Sequence, residues 1–408
     1  MNNPLTSEVH TNEINVVQHY LNAFSESDIE KALDYIHEDA IWHIDGDPVV
    51  KTVGIIKGHS AIKKWLISFP TAFKSLDFSI DQFVSIEQDV FVIGRFRHIV
   101  LKTETIVDSD YIIKFTVMDQ KIARYQIFED SLLLSQVHAN PSFSRKVDMN
   151  GMTYSWDDTG SGSPVIFLHG LFLERSFWYP IIEQIPNHRC IAFDMPGHAD
   201  SGWRDFLDLD GIAEDIVLWM KEYRIKKATL VGHSQGGMIA MLIAAKYPDM
   251  VDRLLLINTS ARKEYEERLS LWSEREKKLL STDTKRLQLF KEIQSMKFTT
   301  EWLKKSPEIA EKELNKMMSY QPENIAQALK AAVIDRMDIR SIIKQIKAKT
   351  IVLSGEKDQA TPSELGQEIA SLIPNAVHKE LFNTSHSIPI EAPHETANIL
   401  LTLLDYKY

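Results

Sequence analysis

The clearest chemical signal in the chain is Gly232-His233-Ser234-Gln235-Gly236-Gly237, which directly follows the apolar run Ala228-Thr229-Leu230-Val231 and opens a helical run at 238–245. Small residues around a serine at a strand-to-helix junction permit a sharp, strained turn. Such a turn holds the hydroxyl out over the sheet edge, above a helix N-terminus. A serine alcohol is a poor nucleophile at neutral pH, so an imidazole must take its proton and a carboxylate must fix the imidazole tautomer. Both candidates lie downstream. Asp358, in Gly355-Glu356-Lys357-Asp358, follows the apolar run Thr350-Ile351-Val352-Leu353; His386, in Asn383-Thr384-Ser385-His386-Ser387, follows a weaker run at 377–382. The order Ser234, Asp358, His386 is the one this strand–turn–helix nucleophile demands. Two backbone donors must meet the developing oxyanion, and Leu171, after Leu168-His169-Gly170, pairs with Gln235 for that task. The competing readings are plain ones: Asp358 capping a helix while Asp200 supplies the carboxylate, or His386 as a surface loop residue. His169, His198 and His233 read as structural.

The elements that must position these residues follow from composition and pattern. The 408 residues are 44% apolar and 25% charged, which excludes disordered, collagenous and disulfide-scaffold classes. A single cysteine, Cys190, excludes an intramolecular bridge and a cysteine-based zinc site. Residues 1–16 lack the basic flank and apolar core of a secretory signal, so a cytoplasmic location is expected. No stretch reaches the ~18 apolar residues of a membrane span, and the net charge of −11 disfavours nucleic acid as a partner. That charge is uneven: residues 1–140 hold 12 Lys/Arg and 20 Asp/Glu, whereas 141–408 hold 34 and 37. Two units of different character are therefore expected, 1–140 and 141–408, with the boundary near Pro141.

Apolar residues Ile14, Val17, Tyr20, Leu21 and Phe24 recur at helical spacing. Further helices are expected at 29–36, capped by Ser27, and after Ser60. Runs at 76–86, 90–101, 106–117 and 121–132 then read as strands of a curved antiparallel sheet, giving an α+β unit. Asn150-Gly151 is a type I′ hairpin signal. Beyond it, short apolar strands alternate with helices, the pattern of a mostly parallel sheet covered on both faces. Residues 261–345 contain no strand-like run and carry 18 Lys/Arg against 14 Asp/Glu, so they read as an all-helical insertion. Its excess of cations is read as a solvated helical face, with an anionic substrate as the alternative. Trp272, Phe290, Trp302, Met317 and Met318 are candidates for the roof of a pocket beneath it or, equally, for the core of the cap itself.

On these motifs, with Phe193-Asp194-Met195-Pro196-Gly197-His198 and Glu391-Ala392-Pro393 added, residues 145–408 resemble the α/β-hydrolases, with a helical cap inserted after the sixth strand. Ala199 and Ser385 depart from the glycines usual there. The resemblance implies cofactor-free, metal-free hydrolysis of a carboxylic ester, thioester or lactone of a small molecule through an acyl-enzyme. A lyase or cyclase acting on a polyketide-like intermediate, and a hydrolase-fold receptor, are the alternatives. Residues 10–138 resemble the SnoaL-like and ketosteroid-isomerase superfamily of cone-shaped α+β barrels, through Val16-Val17-Gln18-His19-Tyr20, Asp39-Ala40-Ile41-Trp42-His43 and Gly58-His59-Ser60-Ala61-Ile62. Ile44 and Ile113 stand where a steroid isomerase has its base and acid. Tyr20 fits the tyrosine of a steroid isomerase, the cyclase branch implies a pocket with Asp130 and His43 across it, and the superfamily implies a ligand-binding or homodimerising module.

Overall fold

The computed structural model describes residues 10–103, 105–139 and 145–405, so most of the segment around Pro141 lies outside the described residues. The chain divides into two compact units, 1–143 and 144–408.

The first unit runs α1 (His10–Ser25), α2 (Ile29–Asp34), β1 (Ile36–Ile44), β2 (Gly54–Lys57), α3 (His59–Ala72), β3 (Phe73–Ile86), β4 (Asp89–Val100), β5 (Thr105–Met118), β6 (Lys121–Phe128) and α4 (Ser131–Ala139). Its six strands form one sheet in the order β2-β1-β6-β5-β4-β3, with only β1 and β6 parallel. Period-two alternation buries Ile113, Phe115 and Val117 of β5 with Val90, Val92 and Phe96 of β4. Val16, Val17, Tyr20 and Ala23 of α1 and Ile62 and Leu66 of α3 pack on that face. Two expectations are corrected. The cap of α2 is Asp28, whose side chain accepts from Lys31 N, while Ser27 sits at positive φ. The run 121–132 is not all strand, because Leu132, Leu133 and Leu134 belong to α4.

The second unit opens with the hairpin β7 (Arg145–Met149) and β8 (Met152–Thr159), turned by Asn150 and Gly151, both at positive φ. Then come β9 (Pro164–Leu168), α5 (Tyr179–Ile182), β10 (Arg189–Asp194), α6 (Leu209–Glu222), β11 (Ala228–His233), α7 (Gln235–Lys246) and β12 (Val251–Ile257). The insertion follows β12, the sixth strand of this unit, and contains α8 (Glu266–Leu279), α9 (Asp283–Lys297), α10 (Thr300–Lys305), α11 (Pro307–Ser319) and α12 (Pro322–Leu329). The fold closes with β13 (Lys349–Gly355), α13 (Ser363–Leu372), β14 (Val377–Leu381), α14 (Ile388–Glu391) and α15 (Pro393–Leu404). The eight strands lie in the order β14-β13-β12-β11-β9-β10-β8-β7, parallel from β14 to β10. Continuous apolar strands such as Leu254, Leu255, Leu256 and Ile257 are buried on both faces, as a helix-covered sheet requires. Trp156, Phe193 and Trp219 lock β8 and β10 to α6, and truncating a buried tryptophan of this kind costs about 3–5 kcal/mol. No helix among the described residues is long and apolar enough to cross a membrane.

Candidate active site

Ser234 stands between β11 and α7 at φ 50°, ψ −116°, a conformation that strains any residue with a Cβ. Its backbone is held from both sides: its N–H donates to Ile257 O at 3.0 Å, and its carbonyl accepts from Thr259 Oγ1 at 2.7 Å. Two glycines make the turn sterically feasible. A Cβ on Gly236 would come within 2.0 Å of Leu168 O, and one on Gly170 would meet His233 Nδ1 at 2.6 Å and Ser234 Cβ at 2.9 Å.

Asp358 and His386, on the loops after β13 and β14, are joined by a 2.8 Å hydrogen bond from His386 Nδ1 to Asp358 Oδ2. The carboxylate is saturated. Oδ1 accepts from Ala360 N at 2.8 Å and Thr361 N at 3.1 Å, and Oδ2 also accepts from Thr361 Oγ1 at 2.8 Å. Asp358 therefore closes a local turn and orients the imidazole at once. Asp200 is elsewhere, half-exposed and paired with Arg175 and Lys146. Ser234 and His386 line one cavity of about 70 Å³, with Leu171 and Gln235 beside them. Ser234 Oγ makes no hydrogen bond among the described residues, and neither the Leu171 nor the Gln235 backbone N–H has an acceptor there.

Three buried histidines knit the surrounding loops. His169 accepts from Met195 N at 2.9 Å through Nε2, so Nδ1 donates to Gly170 O at 2.8 Å. His198 accepts from Phe172 N at 3.0 Å through Nε2, and its Nδ1 donates to Pro196 O at 3.0 Å. Burial pushes His169 well below the ordinary histidine value and His198 down to about 4, so both stay neutral and fix the loop bearing Leu171. His233 donates through Nε2 to His386 O at 2.7 Å, and burial followed by the neighbouring His386 keeps it neutral too.

Sequence reasoning missed two positioning residues. Asn258, just past β12 and at positive φ, donates through Nδ2 to Ser385 O at 2.9 Å and His386 O at 2.8 Å, while its Oδ1 accepts from Gly355 N at 2.8 Å. One amide thus ties the aspartate and histidine loops together. Glu391 was noticed only as part of a motif. Its Oε2 accepts from Ser385 N at 2.6 Å and its Oε1 from Thr299 N, in the cap, at 2.7 Å. Of the roof candidates only Trp272 lines the cavity, joined by Ile293 and Met296. Phe290 and Met317 are core, Met318 packs against them, and Trp302 stacks on Phe298 at 4.3 Å.

The first unit holds a second cavity, of about 530 Å³, walled mainly by apolar and aromatic side chains. Tyr20 lines it, as expected; His43 and Asp130 do not. His43 lies on β1 between Trp42 and Ile44, so strand alternation turns it to the other face, where it pairs with exposed Asp45 at 3.0 Å. Asp130 is exposed and caps α4, accepting from Leu133 N at 2.9 Å. The acid in the cavity is its neighbour Glu129, pushed up to about 7 by burial and then by Asp130. No hydrogen bond or ion pair reaches the Glu129 carboxyl among the described residues. His98 also lines this cavity, with a buried, unpartnered Nδ1, and burial lowers it to about 4. Among the described residues no cluster of three or more His, Cys, Asp or Glu could hold a metal.

Comparison with known proteins fits both units. Residues 163–393 match the family of the alpha/beta hydrolase fold, and residues 17–125 match the SnoaL-like domain. The chain belongs to the alpha/beta hydrolase fold family, with a SnoaL-like domain N-terminal to it. It is 25% identical over 252 residues to the pimeloyl-[acyl-carrier protein] methyl ester esterase of Vibrio vulnificus (strain YJ016), covering 60% of this chain and 96% of that one. It is 25% identical over 273 residues to the monoacylglycerol lipase ABHD6 of Homo sapiens, covering 60% and 76%. The solved enol-lactonase from Burkholderia xenovorans LB400 shares the fold at TM-score 0.60 and 24% identity, over 64% of this chain and all of that one.

Proposed function

We propose that this protein is a serine hydrolase that cleaves a carboxylic ester, thioester or lactone of a small molecule through an acyl-enzyme. The observation that carries the reading is the Asp358–His386 hydrogen bond at the wall of the cavity that Ser234 enters. Ser234 Oγ attacks the acyl carbon as His386 Nε2 takes its proton; the imidazolium is held by Asp358, and the oxyanion is met by the Leu171 and Gln235 N–H groups. His386 returns the proton to the leaving oxygen or sulfur. Water, deprotonated by the same nitrogen, then frees the acid. The Ser234–His386 hydrogen bond forms as substrate fills the cavity, a tightening usual on the way to a Michaelis complex. Esterase and lipase relatives support the hydrolytic choice.

The test is fluorophosphonate labelling and ester turnover by the wild type and Ser234→Ala, in water enriched in ¹⁸O. Labelling and turnover lost together, with one solvent oxygen in the acid, support the reading. Turnover without solvent oxygen favours a lyase or cyclase; labelling without turnover favours a receptor.

For the first unit the proposal is a binding module for an uncharged, largely apolar small molecule, on the strength of the cavity and the lone Glu129 within it. A homodimer through this unit is proposed from the exposed cross-strand pair Ile112 and Phe128 on the open face of its sheet.

A further inference from the structure

The cap's charge is not confined to a solvated face: part of it is turned inward. Glu264, Arg268, Lys297 and Arg336 line the same cavity as Ser234 and His386. The Arg336 side chain is only 9% exposed. A single carboxylate serves two guanidiniums: Glu264 Oε1 lies 3.7 Å from Arg268 Nε, and Glu264 Oε2 lies 3.6 Å from Arg336 Nη2. Both contacts are longer than a charge-assisted hydrogen bond, and Glu264 Oε1 is already engaged by Tyr265 N at 2.9 Å. Arg336 Nε is buried with no acceptor among the described residues, and its Nη1 reaches only Ala332 O at 3.4 Å. Lys297 is likewise loosely held, by Glu313 at 3.5 Å and Phe172 O at 3.4 Å. Glu264 and Glu313 thus hold these three cations only through long contacts, and Arg336 keeps a buried, unengaged donor among the described residues. The Gln235 side chain adds a buried amide with neither Nε2 nor Oε1 partnered.

A buried guanidinium keeps its proton, so an unmatched one is costly unless an anion completes the set. We infer that the substrate of the Ser234 site is an ester or lactone that also bears a free carboxylate, received by Arg336 and Arg268 while the ester is cleaved. This rests on the hydrolase reading and narrows it to hemi-esters and their cyclic equivalents. Glu264 is then a placeholder that spaces the two guanidiniums and yields part of their hydrogen-bonding capacity to the substrate.

The test compares monomethyl glutarate with methyl pentanoate, which have the same acyl length with and without the second carboxylate. Hydrolysis by the full chain is followed by pH-stat, each turnover consuming one water and releasing methanol and a proton. In parallel, calorimetry measures glutarate binding to Ser234→Ala. The wild type is expected to favour monomethyl glutarate by about 30-fold in kcat/KM, a ratio reasonable for one well-placed charge pair. Arg336→Met should bring that ratio close to one and abolish glutarate binding in the Ser234→Ala background, whereas Arg336→Lys should keep part of both. Should Arg336→Met not fold, Glu264→Gln decides: removing the competing carboxylate must tighten glutarate. A wild-type ratio near one, or no glutarate binding, overturns the inference and leaves the hydrolase reading intact. Glutarate binding without turnover of either ester overturns the hydrolase reading and leaves the anion site standing.

Discussion

The two cavities of this chain differ in how their polar groups are held. Around Ser234 the space is about 70 Å³, and the histidine and carboxylate beside it are fixed by several partners each, down to the tautomers of the supporting imidazoles. In the first unit the space is about 530 Å³, its walls are mainly apolar, and its acid, Glu129, has no hydrogen-bonding or ionic partner among the described residues. Proton transfer during bond cleavage needs groups placed to within a fraction of an ångström, and such placement is achieved by spending hydrogen bonds on each of them. Binding a hydrophobic molecule needs volume and one or two polar anchors, and the Glu129 carboxyl and His98 Nδ1 line that cavity.

That contrast can be broken or sharpened by substitution. The largest effect is expected from Ser234→Ala, which should lower kcat for ester hydrolysis by roughly 10⁴–10⁶-fold without changing ligand binding in the first unit. Asn258→Ala comes next. It strips a shared donor from two buried carbonyls and an acceptor from Gly355 N, so kcat should fall by roughly 10–100-fold with KM little changed, and stability should drop by about 2–3 kcal/mol in urea unfolding. If the Asp358 and His386 loops were held independently, kcat would not move.

A smaller effect belongs to the other cavity. With Glu129 at about 7, above its ordinary value, the neutral acid predominates below that pH and the carboxylate above it. Affinity for an uncharged fluorescent probe such as N-phenyl-1-naphthylamine should therefore weaken as pH rises from 6 to 8, by about tenfold per unit of coupled pKa shift. Glu129→Gln should flatten the profile at the tighter level; a wild-type profile already flat would remove Glu129 from the site. Smallest of all, Asp130→Ala should cost about 1 kcal/mol in unfolding of the first unit through loss of a helix cap, with ester hydrolysis unaltered.

What could be read from the sequence divides along the same line. The Ser234 region was legible because a strained turn imposes small residues at fixed spacing, and because strand ends bring Asp358 and His386 to one sheet edge. Asn258 was not, since its meaning lies in contacts with Gly355, Ser385 and His386, 97 to 128 positions away. In the first unit two local errors moved the site. The strand run was read through to Leu132, which hid the helix that Asp130 caps, and the cyclase resemblance pointed to Asp130 where the cavity acid is its neighbour Glu129. His43 failed through strand parity, a single position deciding which face it takes. The inward charge of the cap was hidden for a related reason: helical spacing does not say which cations a neighbouring layer will cover.

The bonds that join the cap to the histidine loop carry a mechanical consequence. Ser387 N donates to Lys297 O at 2.9 Å, Ser385 Oγ to Met296 O at 3.4 Å, and Glu391 grips Thr299 N and Ser385 N together. Movement of residues 296–299 away from the sheet pulls on the segment that carries His386. The insertion is thus tied directly to the segment that carries His386, so under the proposed reading a displaced cap moves the imidazole away from Ser234.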